Sequence, residues 1–95
     1  MLLQYSKRMI NEVEHSDLET FLASYFGLEQ FEIVGVDSGA IHRYAVCNQE
    51  ADVSVDIPQI VASGECDEID LHQVLNQACY DGKLGEGEYT VFFNW

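Results

Sequence analysis

Ninety-five residues carry seventeen Asp and Glu against four Lys and Arg, a formal charge of −13. A chain of that length holds one domain, which excludes a second catalytic module. A hydrophobic fraction of 47%, with five Phe, five Tyr and one Trp, is too apolar for a disordered acidic tail, so the chain is expected to fold.

Area scaling for a chain of this size gives roughly 5,500 Å² folded against roughly 15,700 Å² unfolded, so about two-thirds is buried. No run approaches the ~18 apolar residues of a membrane span. The opening Met1 to Tyr5 is broken by Ser6, Lys7 and Arg8 too early for a signal peptide. The expectation is a cytoplasmic protein.

Arg8 to Glu14 alternates loosely and reads as a short first strand, with a helical turn over Leu2 to Ile10 as the alternative. Ser16-Asp17-Leu18-Glu19 has the form of a capping box, in which the Ser16 hydroxyl takes the amide three residues on and the Glu19 carboxylate reaches back. Leu18, Phe21, Leu22 and Tyr25 then mark one buried helical face, and Gly27 the left-handed stop. Gln30 to Val34 alternates as a half-buried strand does. Asp37-Ser38-Gly39 turns the chain into a second strand over Ala40 to Cys47, and the two predict a hairpin. Ala51 to Ser63 reads as an extended piece followed by a short helix with Pro58 in its first turn. Asp67 is placed to cap a helix whose stripe is Leu71, Val74, Leu75, Ala78 and Cys79, with Gly82 as terminator. Gly85-Glu86-Gly87 leads into a β-prone closing run, Tyr89 to Trp95. The fold class expected is α+β, a small, mostly antiparallel β-sheet packed by two α-helices on one face, over residues 1–95.

Cys47, Cys66 and Cys79 are odd in number, with no C-x-x-C spacing, and read as buried, unmodified thiols. Cys66 lies between Glu65 and Asp67, where like charge disfavours its thiolate.

The run V-L-N-Q-A-C-Y-D-G-K-L-G-E-G-E-Y-T-V-F-F-N-W, Val74 to Trp95, resembles the C-terminus of a group of small, acidic, uncharacterised phage and prophage proteins. There an apolar helix ends in Gly and a Gly-x-Tyr turn leads to a last strand closing on Trp. Asp17 to Leu22, Tyr25, Gly27 and Phe31 to Val34 are similar to their first helix and strand. Gly85 stands where those proteins often have Pro, and Asn48 to Asp67 has no counterpart. The resemblance implies an α+β fold and a mobile-element origin, in the manner of anti-CRISPR or anti-restriction proteins, and brings no functional residues with it.

Between Tyr44 and Gly82 stand eight carboxylates, Glu50, Asp52, Asp56, Glu65, Asp67, Glu68, Asp70 and Asp81, and no Lys or Arg. The four cations are Lys7, Arg8, Arg43 and Lys83. So one-signed a surface repels nucleic acid and anionic membranes and steers basic protein surfaces toward it. Spread evenly, −13 over ~5,500 Å² is about one charge per 420 Å². B-DNA carries roughly one per 110 Å², so mimicry of nucleic acid requires the carboxylates to gather on one face. The eight are the candidate partner-binding set, with Glu12, Glu14, Asp17 and Glu19 a second cluster. Against this, Asp17, Glu19, Asp67, Glu68 and Asp70 all fall in first helical turns, where carboxylates meet the helix dipole favourably.

No phosphate loop, G-x-S-x-G elbow or H-E-x-x-H is present, and no catalytic or metal-binding residues and no cofactor are assigned. His42 and His72 read as surface residues. Phe92 and Phe93 point to opposite faces of their strand, so one of them is expected as an exposed contact. The expectation is a non-catalytic inhibitor that binds the cationic nucleic-acid-handling surface of a host defence protein. An alternative is an accessory phage protein that forms homo-oligomers, a homodimer among them, through the aromatic C-terminal strand. A third reading is a metal-dependent binder using the carboxylates from Asp52 to Asp70.

Overall fold

Alternating segments become strands and the two apolar stripes become helices in the computed structural model, which describes residues 10–49 and 57–94. The order is β1 (Ile10–Glu14), α1 (His15–Phe26), β2 (Glu32–Val34), β3 (Ile41–Val46), α2 (Ile57–Ser63), β4 (Glu65–Asp67), α3 (Glu68–Tyr80) and β5 (Gly87–Phe92). The sequence-based expectation of an α+β fold holds.

The strand directions differ in detail from that expectation. β5 is the centre of a three-stranded sheet, with β1 parallel on one side and β3 antiparallel on the other. β2 and β4 form a separate parallel pair, so one ladder of three is antiparallel, and α2 adds a third helix. β1 and β5 lie at opposite ends of the described chain, and the long connection between them permits parallel pairing.

The expected hairpin is not formed. β2 pairs with β4, and β3 pairs with β5 over six residues, from Ile41↔Phe92 to Val46↔Gly87. The chain between β2 and β3 is tied to the end of the closing strand instead: Gly39 N–H donates to the Phe93 carbonyl, and Phe93 N–H donates to the Ala40 carbonyl at 2.9 Å. A three-residue strand offers β3 fewer ladder bonds than β5 does.

Nor is the capping box formed. β1 runs straight into α1, so Glu14 occupies the N-cap position with no side-chain cap, and Ser16 lies inside the first turn. Glu19 faces away and accepts the Ile33 backbone N–H at 3.0 Å. Asp67 does stand at the N-cap of α3 in extended backbone, also without a side-chain cap. Both helix stops use glycine in the left-handed region, Gly27 at φ 72° and Gly82 at φ 80°, where a Cβ is strained. Lys83 N–H closes the second stop on the Ala78 carbonyl at 2.9 Å.

The core sits between the three-stranded sheet and α1 with α3. Leu18, Phe21 and Leu22 of α1 and Leu71, Val74, Leu75 and Ala78 of α3 are buried with Val13, Tyr44, Val46, Tyr89, Val91 and Phe93. Strand parity sends Phe93 fully inward and leaves Phe92 half-buried on the other face. Cys66 and Cys79 are buried free thiols, but Cys47 is exposed, contrary to the sequence-based expectation. It continues the parity of Ile41, Arg43 and Ala45, on the side of β3 that faces away from the helices.

Candidate acidic binding surface

β2 and β4 are short because only one residue of each has an apolar place to go. Ile33 and Cys66 are paired in register and buried, so their neighbours Glu32 and Glu65, also in register, both point outward and are exposed. Parallel strands lie about 4.8 Å apart, so two like charges stand side by side, an arrangement that by itself destabilises a sheet. The backbone holds them there: Glu32 N–H donates to the Gly64 carbonyl at 2.9 Å.

Around this pair the surface is concave. An open groove of about 940 Å³ runs between α1 and the small sheet, lined by Glu19, Glu29, Glu32 and Glu65 with Phe31, Ile33 and Ser63. A second concavity of about 260 Å³ is lined by Glu65, Asp67 and Asp70 with Gln59, Ile60 and Cys66. The two share Val34, Ser63 and Glu65, so six carboxylates line one continuous surface. Among the described residues no Lys or Arg lines it. Across the whole molecule, −13 over 5856 Å² is about one net charge per 450 Å²; the groove concentrates carboxylates well beyond that average.

Burial, followed by the carboxylates of Asp70 and Asp67, pushes the Cys66 thiol up to about 12. The sequence placed the cause in flanking charge; the larger cause is desolvation, and Asp70 replaces Glu65 as the leading acidic neighbour. Such a thiol stays protonated and is a poor nucleophile. The Tyr44 phenol is likewise raised above its usual range, by burial and then by Glu68 and Cys66, and its buried hydroxyl has no hydrogen-bond partner among the described residues.

The predicted partner-binding residues divide. Glu65, Asp67 and Asp70 come together on the concave surface. Glu68 points to the other flank of α3, where its Oε2 lies 3.3 Å from His42 Nδ1. Asp81 closes the far end of the helix, accepting hydrogen bonds from Tyr25 and from Gln77; at 1.5 Å per residue it is about 20 Å from Asp67. Glu50, Asp52 and Asp56 lie outside the described residues. The second predicted cluster also divides: Glu12 and Glu14 belong to β1, Asp17 is exposed in the first turn of α1, and only Glu19 turns into the groove.

Glu29 and Glu32 were missed. Glu32 carried a signal, as the polar residue between Phe31 and Ile33 of an alternating strand; Glu29 carried none. His42 and His72 join α3 to β3: His72 Nε2 is 2.7 Å from the Ala45 carbonyl, and His42 stands edge-on to Phe93.

Among the described residues no group of three or more His, Cys, Asp and Glu is placed to hold a metal ion. No helix among them is long and apolar enough to cross a membrane. Comparison of the chain with protein-family models, with curated proteins and with solved structures finds no match in any of the three.

Proposed function

We propose that this protein is a non-catalytic inhibitor of phage or mobile-element type, acting in the host cytoplasm. It occupies the cationic groove with which a host defence complex handles nucleic acid, as anti-CRISPR and anti-restriction proteins do. The observation that carries this reading is the concave surface on which Glu19, Glu29, Glu32, Glu65, Asp67 and Asp70 converge, with no cation lining it among the described residues.

The physics follows from that concentration. A basic partner meets an attractive field at long range, so association is steered and fast at low salt. At 0.15 M salt the screening length is about 8 Å, longer than the ~4.8 Å between the paired strands that carry Glu32 and Glu65. Several of them then act together on an approaching guanidinium or ammonium, and nucleic acid itself is repelled.

Calorimetry with deca-arginine at low salt tests the placement. Two double charge reversals alter net charge equally: Glu32→Lys with Glu65→Lys in the groove, and Glu12→Lys with Glu14→Lys on β1. The groove pair is expected to weaken binding by about tenfold or more, since each near charge contributes up to about 1 kcal/mol, and the β1 pair by less than about threefold. Equal losses from both would reduce the effect to net charge and defeat the proposal. Capture of a nucleic-acid-handling complex from host lysate, lost between low and high salt, is the expected biological counterpart.

A further inference from the structure

The acidic groove has two walls of different build. One is a single face of α1, carrying Ser16, Glu19 and Ala23, and the other is the run from Phe31 to Gly35, which contains β2. At one end the chain itself joins them. α1 stops at Gly27, whose N–H donates to the Ser24 carbonyl, and Leu28 N–H donates to the Ala23 carbonyl at 2.8 Å. Phe26 and Phe31 then stack across the turn, with ring centres 5.4 Å apart. This corner fixes where β2 begins. It does not fix how far the strand stands from the helix further along.

β2 has little else to hold it. It is three residues long, pairs with β4 alone among the described residues, and fully buries Ile33 only. Glu32 beside Glu65 works against even that pairing. Glu32 N–H points at β4 and donates to the Gly64 carbonyl, so the alternation of the strand turns the next amide, that of Ile33, away from β4 and toward α1. Among the described residues no strand lies there to receive it.

Glu19 Oε2 accepts that amide instead, at 3.0 Å and in a partly buried setting. Among the described residues Glu19 makes no other hydrogen bond or ion pair. It stands four residues before Ala23 on the helix, about 6 Å along the axis, so its bond crosses between the walls away from the corner. A hydrogen bond to a carboxylate is roughly twice as strong as one between neutral groups. A buried amide left without an acceptor is costly.

We infer that Glu19 is a positioning residue of this groove, a strut whose reach sets the spacing of α1 and β2 and so keeps Glu32 in its place beside Glu65. Its charge is secondary to its length. The strut itself needs no partner; its effect on binding rests on the cationic-partner reading given above. Two conservative changes pull reach and charge apart. Glu19→Gln keeps the length and an acceptor oxygen for the Ile33 amide but loses the charge. Glu19→Asp keeps the charge and is one methylene too short.

Amide hydrogen exchange followed by NMR tests the strut, and calorimetry with deca-arginine at low salt tests its use. The Ile33 amide in Glu19→Gln is expected to exchange within about threefold of the parent rate, and in Glu19→Asp and Glu19→Ala about tenfold faster or more. The Val91 amide, at the centre of the large sheet, keeps its rate in all three. Glu19→Gln weakens deca-arginine binding by less than about threefold, the share of one near charge, and Glu19→Asp by about fivefold or more although it keeps that charge. Circular dichroism checks that each variant is folded. An Ile33 amide indifferent to all three substitutions would overturn the inference. So would the reverse order of binding, with Glu19→Asp close to the parent and Glu19→Gln the weaker, because that order follows charge and not reach. Deca-arginine that fails to bind the parent overturns the cationic-partner reading instead, and the exchange rates then decide the strut by themselves.

Discussion

The two sheets of this small protein are built on opposite terms. The three-stranded sheet has a central strand paired over five residues on one side and six on the other. Its inner face, Tyr89, Val91 and Phe93, is sealed under two helices. The β2–β4 pair shares three residue pairs, of which one is apolar and one sets Glu32 beside Glu65. Cohesion is concentrated in the first and unbalanced charge in the second. A domain this small tolerates a self-repelling edge only because the rest is well packed, which is how binding surfaces generally coexist with stable scaffolds.

Truncating each core tests that division most strongly. Phe93→Ala removes a fully buried ring that stacks on His15 and meets His42 edge-on, and should cost about 3–5 kcal/mol. Ile33→Ala in the thin sheet, one face of which opens to the groove, should cost about 2 kcal/mol, the low end for such changes. Urea unfolding followed by circular dichroism measures both. Equal losses would mean that the small sheet is as firmly built as the large one.

Alkaline pH discriminates more finely, because Cys66 belongs to the thin sheet. Its folded value of about 12 lies above the ordinary 9.0. The unfolded chain therefore releases the thiol proton first, and the stability contributed is complete below pH 9 and lost as pH rises toward 12. Tyr25 and Tyr44, both raised by burial first, act in the same direction above pH 10. The melting temperature should fall across this window, and Cys66→Val should make the fall shallower. At pH 8, thiol-modifying reagent should find Cys47 at once, and Cys66 and Cys79 only after unfolding.

The smallest expected effect is the most pointed. Glu32→Gln relieves the like-charge pair with Glu65, and should raise stability by about 0.2–1 kcal/mol while weakening affinity for a polycation. A destabilised Glu32→Gln protein would show that the pair is held favourably, contrary to the contrast drawn between the sheets.

What could be read from residues alone was what short-range rules govern. The stripe Leu71, Val74, Leu75, Ala78 and Cys79 became the buried face of α3, and Gly27 and Gly82 stopped their helices in the left-handed region. The inward–outward split of Phe93 and Phe92 followed from strand parity. Pairing did not follow: two adjacent alternating segments look like a hairpin, but ladder length and the ties at Gly39 and Phe93 decided for β5. The capping box misled for a related reason, since β1 enters α1 without a loop and Glu19 was taken up by Ile33 of another element.

The candidate site shows the same boundary. Composition announced an acidic surface, and the stretch from Glu65 to Asp70 lay within the predicted set. Alternation along β2 marked Glu32 as outward-facing, but which residues stand next to it depends on β4, thirty-three positions away in register. Sequence by itself determined the charge, the class of fold, the helix faces and the side of each strand on which a residue lies, because these depend on neighbours within a few positions. Tertiary structure decided which carboxylates share a groove and which pair with a histidine or a tyrosine, because those are facts of strand pairing, and pairing is chosen by the whole chain.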